Sequence, residues 1–129
     1  MKQENAGGSD GQIEECIFCM IADGSTDAEV VYETDETIFF HDISPKASVH
    51  VVGITKTHVS SLTEAVEQNL ELAAQLLKDI TVVADKLGLT EGGYRVVTNV
   101  GSNAGQEVKH LHWHILGGER LGPLRCVIE

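Results

Sequence analysis

His110-Leu111-His112-Trp113-His114-Ile115-Leu116 decides how this chain is read. An extended strand alternates its side chains between two faces and rises about 3.3 Å per residue. The three imidazoles therefore share one face, about 7 Å from neighbour to neighbour, and Leu111, Trp113 and Ile115 share the other. Such a strand lays its apolar face on a core and turns its histidines toward a cleft. Half of the six histidines in a 129-residue chain fall within these five positions. Imidazole is the side chain whose ordinary pKa lies nearest neutral pH, so chance filling of exposed positions explains the stretch poorly.

Outward from that strand, Gly101-Ser102-Asn103-Ala104-Gly105-Gln106 makes a glycine-rich turn leading in, and Gly117-Gly118 ends it. Tyr94 to Asn99 reads as a strand. Val30-Val31-Tyr32 and Thr37 to His41 are β-rich runs around Glu33-Thr34-Asp35-Glu36, a hairpin pattern. Ser44-Pro45 breaks the second run, and Ser48 to Ile54 reads as a third strand. Ile17, Phe18 and Ile21 recur at helical spacing within 14–22. One long helix is predicted between Ser61 and Leu87. Ser61-Leu62-Thr63-Glu64 fits a capping box, Leu70, Ala73, Leu77, Ile80, Ala84 and Leu87 make an apolar stripe, and Gly88 is the stop. The expected class is α+β, with mainly antiparallel strands and one long and one short helix covering a face.

The length suits one domain, expected over residues 13–129, behind a polar tail over 1–12 that reads as disordered. The formal net charge of −11 argues against nucleic acid or an anionic membrane as partner, because both demand a basic surface. An anionic small substrate must then be held locally, by backbone N–H groups and histidines. The N-terminus has no apolar signal core, and no run approaches the roughly 20 apolar residues of a membrane span. Three cysteines, an odd count without a signal peptide, point to a reducing compartment, the cytoplasm.

Alternating histidines admit two chemistries. Pairs at i and i+2 on a strand chelate metal, and a third ligand completes a catalytic zinc. Alternatively, one imidazole attacks phosphorus while the others position it. The 101–106 turn favours the second, since glycines allow close backbone approach and N–H donors to an anion in front of His112.

The same residues resemble a known signature. His110-Leu111-His112-Trp113-His114-Ile115-Leu116 is similar to the motif of the histidine triad (HIT) superfamily. Phe40-His41-Asp42-Ile43-Ser44-Pro45, Asn99, Gly105-Gln106 and Gly117-Gly118 further resemble its nucleotide-binding (Hint) branch. The likeness runs from about Cys16 to Pro123. It implies a five-stranded antiparallel sheet with two helices, and a homodimer whose sheets join. The implied activity is hydrolysis of purine nucleoside 5′-phosphoramidates, with an AMP- or GMP-type nucleotide bound and no cofactor required for the chemistry. By the same resemblance, His112 is the nucleophile, and His110 and His50 belong to a proton relay. His114, Asn99 and the amides of Gly105, Gln106, Glu107 and Val108 stabilise the phosphoryl oxygens. Asp42 accepts from the ribose hydroxyls, and Ile17, Phe18, Ile21, Phe40, His41 and Ile43 border the base.

Cys16-x-x-Cys19 leaves alternatives open. A thioredoxin-like redox pair lacks its βαβ context, whereas reduced structural thiols and a structural zinc both fit. Resemblance to bacterial HIT proteins implies zinc ligands Cys16, Cys19, His50 and His110, and a liganded His110 cannot also shuttle protons. Glu107 departs from the eukaryotic Hint pattern, which has serine there. Its carboxylate is expected to turn from the anion, leaving its amide to help. With the divergent tail from Leu121 to Glu129, that departure keeps a second function in view, a nucleotide-binding regulatory module with little turnover.

Overall fold

A computed structural model of the chain describes residues 16–124. The tail expected over 1–12, the helix start expected at Glu14, and Cys126 lie outside those residues. Within them, α1 (Ile17–Ala22), β1 (Val30–Glu33), β2 (Thr37–His41), β3 (Val49–Thr55), α2 (Leu62–Gln68), α3 (Leu70–Lys86), β4 (Tyr94–Val97) and β5 (His112–Gly117) follow in order. The strands form one five-stranded sheet, β1-β2-β3-β5-β4, with every pair antiparallel. The hairpin between β1 and β2 closes where Thr34 Oγ1 accepts from the backbone N–H groups of Glu36 and Thr37.

The sheet separates two clusters. Phe39, Val51, Leu111 and Ile115 point to one face and pack with Leu76, Ile80, Val83 and Ala84 of α3 and Ala65 of α2, and Trp113 joins at the margin. Ile38, Phe40, Val52 and Ile54 point to the other, where Phe18, Ile21 and Ala22 of α1 cover them. Strand alternation carries His112 and His114 onto this second face. The apolar side of the histidine strand thus anchors it to the larger core.

The predicted long helix is two. At Asn69 the backbone leaves helical geometry (φ −156°, ψ 76°), and the Asn69 side chain accepts from Leu72 N–H as the cap of α3. Asparagine is among the best N-cap residues because its side chain replaces a missing carbonyl partner. The buried stripe is also rotated from the expected one: Leu72, Ala73, Leu76, Ile80, Val83 and Ala84 are buried, whereas Leu70 and Leu77 are exposed. Ser61 makes no side-chain cap bond, and Glu64 reaches past it to the Ser60 N–H, so the expected capping box does not form. Gly88 stops α3 in the left-handed region as expected, at φ 76°. Asp79, buried on the packed side of α3, is satisfied by Thr37 Oγ1 (2.7 Å) and Gln75 Nε2 (2.9 Å).

Gly53 stands directly opposite Phe39 in the β2–β3 register, and a Cβ there would overlap the Phe39 ring. Gly53→Ala is therefore expected to cost about 1–3 kcal/mol by overpacking. Urea unfolding checks this, and adding Phe39→Leu to the same protein is expected to return part of the loss.

Candidate active site

Each histidine of the strand is fixed by a different partner. His112 Nδ1 lies 2.7 Å from the carbonyl oxygen of His110. A carbonyl only accepts, so Nδ1 holds the proton and the lone pair is on Nε2. Lys46 N–H donates to His50 Nδ1 at 3.0 Å, which leaves the proton of neutral His50 on Nε2. That nitrogen is 2.9 Å from His114 Nδ1, so His50 donates and His114 carries its own proton on Nε2. Adjacent rings of His112 and His114, centroids 5.3 Å apart, thus present an acceptor and a donor. Thr98 Oγ1 donates to the His112 carbonyl at 2.7 Å and ties the strand to the end of β4.

Both rings line a cleft of about 430 Å³. Its apolar wall comes from Ile17, Phe18 and Ile21 of α1 and Phe40 of β2, with His41, Asp42 and Ile43 along one margin and Glu107 and Val108 along another. Phe18 meets the His112 ring edge-on, centroids 4.9 Å apart. Ile43 is almost fully exposed at the mouth, 98%. All of these were expected from the sequence. Asp27, Ala28, Glu29, Ser44 and Val52 also line the cleft and were not; the turn from α1 into β1 folds back over β2, where His41 N–H donates to the Glu29 carbonyl at 3.0 Å.

Three expected nucleotide contacts are not on that lining. Gln106 is buried and points into its own loop. Its Nε2 donates to the carbonyls of Ser60 and Val108, and its Oε1 accepts from Gly101 N–H. Its backbone N–H, the group expected to face the phosphoryl oxygens, donates to the Gly101 carbonyl at 3.1 Å, so side chain and amide both brace the turn. Gly105 is exposed, in the left-handed region at φ 80°, and closes a short 3₁₀ turn over Ser102–Ala104. Asn99 is half-buried beyond the end of β4.

His110 faces elsewhere. Its Nε2 is 2.7 Å from the Thr55 carbonyl, so that nitrogen donates. Its Nδ1 meets Cys16 Sγ at 3.3 Å and Cys19 Sγ at 3.5 Å. His58 Nδ1 lies 3.1 Å from Cys19 Sγ. Among the described residues, Cys16, Cys19, His58 and His110 bring one ligand atom each to within 4.8 Å of one another. Two sulfurs and two imidazole nitrogens this close are the donor set of a tetrahedral structural zinc, so the residues present fit that ion.

The cluster corrects two expectations. The fourth donor is His58 and not His50. In the β3–β5 register Ile54 faces His112, so the chain just past β3 runs beside His110, whereas His50 lies four residues back, about 13 Å at strand rise. The ring of His110, with both nitrogens turned to the cluster and Thr55, does not join a relay with His112; only its backbone carbonyl reaches the His112 ring. His50 does reach His114, as a relay requires. Burial works against charge on Cys16, but hydrogen bonds from His110 and His58 outweigh it and hold that thiol down to about 5. Burial and the Cys16 charge push the Cys19 thiol up to about 12.

Comparison with known proteins agrees with this geometry. The HIT domain family profile matches residues 23–121. A HIT-like protein of Helicobacter pylori is 41% identical over 81% of this chain and 97% of its own length. The purine nucleoside phosphoramidase of Escherichia coli is 32% identical over 86% of this chain and 93% of its own. Among solved structures, a histidine triad protein from Clostridium difficile superposes with a TM-score of 0.82 at 38% identity, covering 86% of this chain and 96% of that one. A HIT family hydrolase from Clostridium thermocellum gives 0.81 at 41% identity, with 88% and 98% covered.

Proposed function

Since the chain belongs to the HIT family, we propose that it hydrolyses the phosphorus–nitrogen bond of purine nucleoside 5′-phosphoramidates through a nucleotidyl-His112 intermediate. The observation that carries this reading is the proton placement at the cleft: the His110 carbonyl holds the His112 proton on Nδ1, leaving Nε2 as the attacking atom. Attack forms the Nε2–phosphorus bond and breaks the phosphorus–nitrogen bond, and the amine leaves with a proton from His114 Nε2. Water then displaces His112 from phosphorus. A rigid strand holding the nucleophile near in-line distance supplies the entropic part of the rate. The relative from Escherichia coli that bears the name purine nucleoside phosphoramidase supports the substrate class.

Ile17, Phe18, Ile21, Phe40 and Ile43 suit the two faces of a purine, and Asp42 suits the ribose hydroxyls. No cofactor is needed for this chemistry, because nucleophile and acid are both imidazoles. A zinc ion held by Cys16, Cys19, His58 and His110 would be structural, joining α1 to the entry of β5. Two free thiols suit the cytoplasm, and among the described residues no helix is long and apolar enough to cross a membrane. We also infer a homodimer: β4 ends the sheet, and Leu70 and Leu77 are exposed apolar residues on α3.

A second reading, a binding module with little turnover, draws on Asp27, Glu29, Asp42 and Glu107, all of which line the cleft and repel an anion. The two separate in one assay. Without added metal, purified protein is expected to release amine from adenosine 5′-phosphoramidate over many turnovers. No release, together with calorimetric binding of AMP, would favour the binding module.

A further inference from the structure

The His50–His114 pair raises a question of charge. In the arrangement described, two neutral rings share two protons over four nitrogens. Were His114 to give up its Nε2 proton from that state, the pair would become an imidazolate, which no neutral-pH acid chemistry supports. The state that meets the substrate must therefore hold a third proton, on His50 Nδ1. The Lys46 N–H occupies that nitrogen at 3.0 Å and cannot donate to an N–H. The carboxylate of Asp42 stands beside it, Oδ2 3.8 Å from His50 Nδ1, and is itself held by Ser44 N–H at 3.1 Å. A shift of about 1 Å in the 42–46 turn exchanges one partner for the other, to normal hydrogen-bond length.

We propose that Asp42 is the counter-ion of an imidazolium shared by His50 and His114, and so a positioning residue for the acid that expels the amine. This rests on the phosphoramidase reading above. In the first step the His114 Nε2 proton goes to the departing nitrogen, and the His50 Nε2 proton moves to His114 Nδ1. His50 ends neutral, with its remaining proton on Nδ1 facing Asp42. His114 then holds a lone pair on Nε2, the form that accepts a proton from water when water attacks the phosphorus of the adduct. The Nδ1 proton returns to His50 Nε2, and the pair regains its starting charge. Among the described residues, the other charged groups near the pair stand differently. Lys46 repels an imidazolium and directs its ammonium to the Ser44 carbonyl. His41 is exposed at the end of β2, and Asp27, Glu29 and Glu107 lie along the cleft walls.

Asp42→Asn keeps an oxygen for Ser44 N–H and for a ribose hydroxyl but removes the charge. Two substrates separate the roles: an adenosine 5′-phosphoramidate of an alkylamine, whose leaving group needs a proton, and adenosine 5′-phosphorofluoridate, whose fluoride leaves without one. The readout is the ratio of the two single-turnover rate constants for leaving-group release, in which effects on ribose binding and folding cancel and the shared adduct hydrolysis does not enter. Asp42→Asn is expected to slow the first-turnover release of amine about 10²-fold more than the first-turnover release of fluoride. Equal losses on both substrates, or no loss on either, would overturn the proposal. Wild-type protein that releases fluoride but no amine would instead overturn the phosphoramidase reading beneath it.

Discussion

Replacing His112 with alanine is expected to lower kcat/KM for adenosine 5′-phosphoramidate by at least about 10⁴-fold, because removal of a covalent nucleophile leaves only binding and electrostatic contributions. The fold should survive. His112 sits on the α1 face, and the strand's hold on the larger core comes from Leu111, Trp113 and Ile115. AMP affinity measured by calorimetry is expected to change far less than kcat/KM, since Ile17, Ile21 and Asp42 line the cleft beside the Phe18 that touches the ring. The loss should lie in kcat and not in KM. An equally large loss of AMP binding would mean that His112 holds the nucleotide and does not attack it.

The second large effect concerns the sulfur–imidazole cluster. The double substitution Cys16→Ala with Cys19→Ala is expected to abolish stoichiometric zinc and to destabilise the protein by about 3–5 kcal/mol, lowering Tm by roughly 10–20 °C. Cys16 also caps α1, its Sγ accepting from Cys19 N–H, so the first helix and the cleft wall it carries loosen together. Metal analysis and scanning calorimetry check both parts. Proton counting gives a companion test. With the Cys16 thiol held down to about 5 and Cys19 pushed up to about 12, a neutral solution contains one thiolate and one thiol. Zinc must then displace the Cys19 proton, together with any proton that His110 or His58 lends to the Cys16 thiolate, and affinity should rise by at least about tenfold per pH unit across neutrality. Affinity independent of pH across neutrality would contradict this assignment of the thiols.

The histidine strand was legible because a period of two leaves little freedom: once His112 faces the cleft, Leu111 and Ile115 must face the core. Register was not legible. Nothing local in the chain says that Ile54 pairs with His112, and only that pairing tells His58 from His50 as neighbour of the thiols. The break at Asn69 was hidden for a related reason. The apolar spacing around it continues, while the cap that ends one helix and starts the next is a single side-chain bond to Leu72 N–H. Gln106 shows a third limit. The resemblance spoke only for its backbone amide, and the burial of its side chain in the loop depends on the Ser60 carbonyl, 46 residues distant in sequence. The buried Asp79 could not be foreseen, since it takes Thr37 from a strand to make a carboxylate acceptable on the packed side of a helix.

The central claim is a transient bond between His112 Nε2 and phosphorus. Rapid quenching of the protein with an adenosine 5′-phosphoramidate at alkaline pH, where phosphorylated histidine survives, followed by peptide mass spectrometry, tests it directly. The account predicts one added AMP per chain during turnover, located on His112. Steady amine release with no nucleotide on any histidine, or with the label on His114 or His50, would contradict it.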